Sequence, residues 1–275
     1  MPAAIPTKPD LLGYEGKTCV VTGAASGMGG ATARILGELG AEVIGLDIQK
    51  IDGPIARSIQ VNLMEEASID AAVAEIPDSV DRLFNCAGLP GAPRFEALDT
   101  TLVNFVGLRH LTESLLPRIP SGGAVASITS VAGMGYTKNL EKLHELLATA
   151  SFGEGKAWLE ANSDVNNGYL FSKQAIIAYT YARAGELARR EIRINCLSPA
   201  PTDTPMMPAF HDQISAEFMD EHFQAPVGRN ATPEEMAEPL ILLNSDASRF
   251  VSGHNLFVDY GYAAQTYMGQ RPALL

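Results

Sequence analysis

Tyr169 and Lys173, in the run Tyr-Leu-Phe-Ser-Lys, stand four positions apart, which on a helix puts both side chains on one face. An ammonium so placed stabilises a phenolate, and a phenol loosened in this way can serve as a general base. Bringing a Tyr from its ordinary pKa near 10 to about 7 takes ~4 kcal/mol of preferential phenolate stabilisation, for which Lys173 and any further positive charge beside the ring are the available sources. Such a pair arises by chance often enough that its meaning comes from what surrounds it.

Upstream, Thr-Gly-Ala-Ala-Ser-Gly-Met-Gly at 22–29 follows an apolar run and opens a helical one. There Gly23 permits a tight turn, Gly27 lets backbone approach a pyrophosphate, and Gly29 lets helix pack near strand. Free amides at the helix start, around Ser26 and Met28, would face the phosphates. The spacing is Gly-x3-Gly-x-Gly, and a purely structural glycine turn is the alternative. Asp47 ends the second apolar run, 24 residues after Gly23, where a carboxylate can accept from both ribose hydroxyls of an adenosine. That carboxylate would repel a 2′-phosphate, and neither Ser26 nor Ile48 is an Arg or Lys that could attract one. NAD is therefore expected over NADP; an Asp that merely ends a strand is the other reading. Ser130 could hold a substrate oxygen opposite Tyr169, or simply belong to a Ser-Val-Ala-Gly loop. Asn104 lies inside a helical run, where Asn is disfavoured, so its side chain either holds a backbone group or a water, or the helix kinks or turns it to solvent.

These residues need elements to position them. Strands are expected at 17–22, 42–47, 58–62, 81–85, 124–129, 193–198 and 255–259, with helices near 27–39, 65–75, 100–117, 166–189 and 232–245. The alternation predicts an α/β fold: a single domain over 1–275 with a doubly wound, Rossmann-type parallel sheet of about seven strands and helices on both faces. In such sheets ligands lie beyond the carboxyl ends of the strands, where every motif above falls. About forty residues separate 129 from the Tyr169 helix, too many for an ordinary connection. Leu140, Leu143, Leu146 and Leu147 recur there at helical spacing, so a helical insertion over 138–165 is expected. It either packs on the domain or a subunit neighbour, or forms a lid. A second loop, 205–226, carries Met206, Met207, Phe210, Phe218 and Phe223 and is read as substrate wall or plain packing. The tail from Tyr262 onward carries no motif.

The 275 residues are 46% hydrophobic and 19% charged, a balance that suits one compact globule, and the net charge is −12. An acidic surface without a basic run excludes a nucleic-acid partner. The proline-rich N-terminus does not read as a signal peptide, and no apolar run reaches membrane-spanning length. Cys19, Cys86 and Cys196 are odd in number and far apart, as buried thiols of a reducing compartment would be, so a cytoplasmic location is expected. The five His lack metal-ligand spacing, and no metal is expected.

Together these pieces resemble the short-chain dehydrogenase/reductase superfamily over nearly the whole chain. The resemblance rests on Thr22-Gly23-x3-Gly27-x-Gly29, Asn85-Cys86-Ala87-Gly88, Asn104, Ser130, Tyr169-x3-Lys173, and Asn195 to Pro199 with Thr204. It implies that Tyr169 is the acid/base, that Lys173 lowers its pKa and binds the nicotinamide ribose, that Ser130 orients the carbonyl, and that Asn104 supports a proton-relay water. It further implies Asn62 and Leu63 near the adenine, Asn85 among the cofactor-binding residues, Ala87 and Gly88 on the adenosine side, and Pro199, Thr202 and Thr204 facing the carboxamide. Ser130 and Tyr169 are 39 positions apart, where most members have a gap about a third as long. That insertion looks most like the subgroup of coniferyl-alcohol dehydrogenase and 3α-hydroxysteroid dehydrogenase/carbonyl reductase. Ala200 replaces the usual Gly after Pro199, Tyr260 replaces a Gly in Asp-Gly-Gly, and Asn62 an Asp.

The expected activity is hydride transfer between NAD and the carbinol or carbonyl carbon of a hydrophobic, ring-bearing alcohol or ketone, of aryl-alcohol or hydroxysteroid type. A catalytically silent NAD-sensing protein is one rival; it would be expected to lose Tyr169 or Lys173, which this chain keeps. An NAD-using epimerase or dehydratase is the other, and usually carries a different glycine spacing. A homo-oligomer, dimer or tetramer, is expected, because related enzymes pair the helices at about 100–117 and 166–189 across a two-fold axis.

Overall fold

The computed structural model describes residues 10–212, 215, 217, 218 and 222–271. Seven parallel strands form one sheet in the order β3-β2-β1-β4-β5-β6-β7. They are β1 (Thr18–Thr22), β2 (Glu42–Asp47), β3 (Arg57–Gln60), β4 (Arg82–Asn85), β5 (Ala124–Ile128), β6 (Arg193–Pro199) and β7 (His254–Val258). Every residue of β4, β5 and β6 is buried, the pattern of strands covered on both faces rather than one. Helix α1 (Gly27–Glu38) follows β1, and α2 (Glu66–Glu75) follows β3. The chain then returns past β1 to lay down β4 on its other side, so β1 and β4 flank the crevice where strand order reverses. At that crevice the Thr22 hydroxyl accepts from the Cys86 and Ala87 amides at 3.0 and 3.1 Å, tying the carboxyl ends of the two strands together.

The expected strands are present within a few residues of their predicted ends. The third is shorter, because the Asn62 carboxamide oxygen accepts from Met64 N at 3.1 Å and turns the chain out of the sheet. The helix expected at 100–117 is divided into α3 (Ala97–Thr101), a π-helical segment (Leu102–Gly107) and α4 (Leu108–Leu115). A side chain at Gly107 would collide with the Leu63 carbonyl at 2.0 Å, so the wide segment presses its backbone directly on the β3–α2 connection.

The insertion is helical, as expected. After a 3₁₀ segment (Val131–Asn139) come α5 (Leu140–Leu147) and α6 (Phe152–Ala161). Leu143, Leu146 and Leu159 are buried, while Leu140 is exposed. Trp158 stacks on Phe171 of α7 (Tyr169–Ala188), with centroids 5.9 Å apart and rings 10° from parallel. Arg109 of α4 donates to the Leu146 carbonyl, the Thr149 hydroxyl and the Ser151 carbonyl, closing the α5–α6 corner. The insertion thus packs on the chain's own α4 and α7, the helices expected to meet a partner. Its residues are not among those that line the two clefts described below.

Further α-helices among the described residues are α8 (Met207–His211), α9 (Pro233–Asn244) and α10 (Tyr262–Tyr267). Among the described residues no helix is long and apolar enough to cross a membrane, and no cluster of His, Cys, Asp and Glu could hold a metal.

Candidate active site

Two clefts meet at the carboxyl edge of the sheet. The first, of about 350 Å³, runs along the glycine turn and the ends of β1, β2 and β4. Gly23 takes a φ of +69°, and a Cβ there would lie 2.9 Å from the Ala87 backbone. A Cβ on Gly29 would lie 2.2 Å from the Gly23 carbonyl, so only glycine lets α1 begin this close to β1. Ser26 stands at the N-cap without a side-chain cap, and Ser26, Gly27, Met28 and Gly29 all line the cleft, so the helix start opens into it. Such a turn has the form expected of a pyrophosphate cradle. Asp47 lines the cleft at its far end; its Oδ2 accepts from Ala25 N at 3.0 Å and its Oδ1 from Gln49 N at 2.9 Å. Each oxygen keeps a lone pair for a ribose hydroxyl. Ile48, Asn62, Leu63, Ala87 and Gly88 also line this cleft, as expected of an adenosine and ribose site.

Asn85 is different. It was expected to bind the cofactor, but its carboxamide is buried beneath the sheet end, donating to the Thr112 and Ser127 hydroxyls, and it does not line the cleft. Its position on a fully buried strand decides this, since the side chain points into the helical layer rather than beyond the strand end. Gln49, Cys86, Leu89, Phe95 and Val103 line the cleft without having been anticipated. Gln49, Cys86, Leu89 and Val103 lie within two residues of motif positions, the one local signal that could have found them, whereas Phe95 comes from a remote loop.

The second cleft, of about 290 Å³, is apolar and holds Ser130, Tyr169, Pro199, Ala200, Thr202, Met206, Met207, Phe210, Phe218 and Phe223. Much of its wall is the 205–226 loop; Gln213, Ile214, Ala216 and residues 219–221 of that loop lie outside the described residues. Met28, Thr204 and Met206 line both clefts and mark their junction. Phe210 meets the Tyr169 ring edge to face at 5.0 Å. The Ser130 hydroxyl accepts from Ala132 N and also hydrogen-bonds Tyr169, favouring its phenolate.

Tyr169 is the first residue of α7, three positions later than the helix start expected from the sequence. Asn166, Asn167 and Gly168 build the entry instead: Asn166 Oδ1 accepts from Gly168 N and from the Thr101 hydroxyl, and Asn167 Oδ1 accepts from Phe171 N. This cap was legible as Asn-Asn-Gly before an apolar run. Gly168 has a φ of +78°, and a Cβ there would stand 3.1 Å from the Ala97 Cα. Gly168→Ala is therefore expected to cost about 1–3 kcal/mol of stability and to lower turnover more than nucleotide affinity. Thermal unfolding, nucleotide titration and steady-state rates would show it, and unchanged rates would mean that the cap does not set the Tyr169 position.

Burial dominates the electrostatics. It pushes the Tyr169 phenol up to about 12, with the Ser130 hydrogen bond opposing, and pulls the Lys173 ammonium down to about 8. Burial thus opposes the depression of the phenol expected from the Tyr/Lys spacing. Lys173 Nζ stands 5.4 Å from the Tyr169 ring centroid and donates to the Ile128 carbonyl at 3.2 Å, behind the cleft wall beside Gly88. Asn104 is completely buried within the π-helical segment. Its Oδ1 accepts from Leu89 N at 2.6 Å, while Nδ2 donates to the Leu89 carbonyl at 3.0 Å and to the Ser172 hydroxyl at 3.1 Å. Of the readings open for it, the hold on a backbone group is present, and the helix is distorted around it.

Comparison with known proteins agrees with this geometry. A family model described as enoyl-(acyl carrier protein) reductase matches residues 23–263. The chain is 34% identical over 256 residues to coniferyl-alcohol dehydrogenase of a Pseudomonas strain, covering 92% of this chain and 98% of the relative. It is 29% identical over 251 residues to 3α-hydroxysteroid dehydrogenase/carbonyl reductase of Comamonas testosteroni, covering 89% and 96%. The crystal structure of 3α-hydroxysteroid dehydrogenase from Pseudomonas sp. B-0831 complexed with NADH superposes with a TM-score of 0.78 at 26% identity, covering 93% of this chain and all of that one.

Proposed function

This chain belongs to the short-chain dehydrogenase/reductase family, and we propose that it is an NAD-dependent dehydrogenase of hydrophobic, ring-bearing alcohols, or a reductase of the corresponding ketones. The observation that carries the reading is the junction itself: Tyr169 and Ser130 stand in an apolar cleft that opens, at Met28, Thr204 and Met206, into the glycine-lined one. The glycine cradle and Asp47 would hold the nucleotide, and its nicotinamide would supply the hydride acceptor or donor.

The protein's own residues then do the following. Ser130 holds the substrate oxygen, and Tyr169 takes the hydroxyl proton during oxidation or returns it during reduction. Lys173 supplies positive charge behind the ring. Asn104, through both polar groups of Leu89, fixes the loop that faces the nicotinamide end. The wall of Met206, Met207, Phe210, Phe218 and Phe223 supports an apolar ring as the substrate body.

Absorbance at the reduced-nicotinamide band, with NAD or NADP against aryl allylic alcohols, hydroxysteroids and simple cyclic alcohols, tests the whole reading. Turnover with NAD on a ring-bearing alcohol is expected. Binding of nucleotide without turnover of any alcohol would overturn it. For the coenzyme choice, Asp47→Ser is expected to weaken NAD at least tenfold and to shift the NAD-over-NADP ratio of kcat/KM by about 10²-fold, the scale of one charged hydrogen-bonding group gained or lost. A wild-type preference for NADP would remove that role from Asp47.

A further inference from the structure

The C-terminal segment, silent as sequence, is tied to the wall of the apolar cleft. Asp259 starts it: Oδ1 accepts from Gly261 N at 2.9 Å and Oδ2 from Ala263 N at 2.8 Å, fixing the first turn of α10. Tyr262, the first residue of that helix, is buried. The chain comes back on itself after α10, so that the Arg271 guanidinium lies over the Tyr262 ring, its Cζ 4.7 Å from the centroid. From there Arg271 Nη1 donates to the Gln224 carbonyl at 2.8 Å. Gln224 follows Phe223, which lines the cleft together with Phe218; their ring centroids are 6.3 Å apart. Ala225, on the other side of Gln224, is buried.

A cation that stacks on a buried ring has little freedom, and a hydrogen bond from a charged donor is stronger than one between neutral groups. The Gln224 carbonyl is therefore held to a rigid support rather than to another loop. We propose that Arg271 is a specificity-determining residue, which holds Gln224 on the Tyr262 platform and so fixes the Phe218–Phe223 wall against which a bulky apolar substrate packs. The inference rests on the alcohol-dehydrogenase reading given above. A small alcohol needs only Ser130 and Tyr169, whereas a large one also needs the wall, so loss of the tether selects between them.

The test uses the full-length protein, Arg271→Ala and Arg271→Lys, with NAD and two probes, a 3-hydroxysteroid and cyclohexanol. Arg271→Ala is expected to lower kcat/KM for the steroid about tenfold, through KM, and to leave cyclohexanol and NADH binding within about twofold. Lys keeps a donor but loses the planar stack, so its variant should fall between. Amide exchange over 222–228 should quicken in Arg271→Ala, a readout that does not depend on turnover. Unchanged exchange, or equal changes for both alcohols, would overturn the proposal. Absence of turnover by the wild-type protein on both probes would instead count against the dehydrogenase reading, with exchange alone then deciding the tether.

Discussion

Tyr169→Phe should lower alcohol turnover by at least about 10³-fold, within the range for loss of a positioned acid/base group, while the NAD dissociation constant changes less than about threefold. The split follows from placement. Tyr169 lines the apolar cleft and not the glycine cleft, so its hydroxyl bears on the substrate and leaves the cradle untouched. The phenol, held up at about 12 by burial, is protonated near neutrality, and oxidation requires its base form. Wild-type oxidation is therefore expected to rise with pH until the phenol of the loaded enzyme has titrated, and the residual rate of the variant should lack that limb. Stopped-flow turnover across pH 6–10 with nucleotide titration checks both parts. A variant retaining more than a few per cent of the rate would mean that another group moves the proton.

Lys173→Met is expected to cost activity and increase stability at once. Burial, opposed in part by Cys86, moves the ammonium from 10.5 down to about 8, a cost of ~3 kcal/mol to the charged form at neutral pH. Its hydrogen bond to the Ile128 carbonyl offsets about 1 kcal/mol, so the variant should gain ~2 kcal/mol. For a chain of this size that is a rise in Tm of roughly 5 °C. The sign follows from linkage. Below about pH 8 the lysine is charged both folded and unfolded and the cost is fully present; between about 8 and 10.5 the folded protein sheds the proton first and the cost fades. The advantage of the variant should therefore be full at pH 7 and small at pH 10. Turnover should fall by at least about 10²-fold, because no cation would then stand behind the Tyr169 ring. Calorimetry of the nucleotide-free proteins at the two pH values decides it: a lower Tm for the variant at pH 7 would show that the ammonium is better solvated in the fold than its burial implies.

Tyr260 shows how a departure from family pattern is accommodated. Where relatives are expected to carry Gly, this Tyr takes a φ of +53° and stays exposed, so its ring meets no steric conflict and the turn into α10 is kept at the expense of a strained backbone. Ala200, the other replacement, is buried on the wall of the apolar cleft, where its methyl adds to the apolar lining.

What the amino-acid sequence determined by itself was whatever depends on neighbours along the chain. Strand and helix periodicity is local, and so the alternating β/α order, the glycine turn after β1, Asp47 at the end of β2 and the Tyr169/Lys173 pair were all legible. The helical nature of the insertion was legible for the same reason, in the spacing of Leu143 and Leu146. Tertiary structure decided what depends on meeting distant residues. It gave the insertion its partners within the chain, because Trp158 finds Phe171 and Arg109 finds the α5–α6 corner. It turned Asn85 into the core and Asn104 onto Leu89, and opened a π-helical segment around the latter. It also set the electrostatics, since the fall of Lys173 and the rise of Tyr169 come from desolvation, which no spacing encodes. The tether from Arg271 to Gln224 spans 47 positions and is invisible to any periodicity. Only a folded chain brings such residues together.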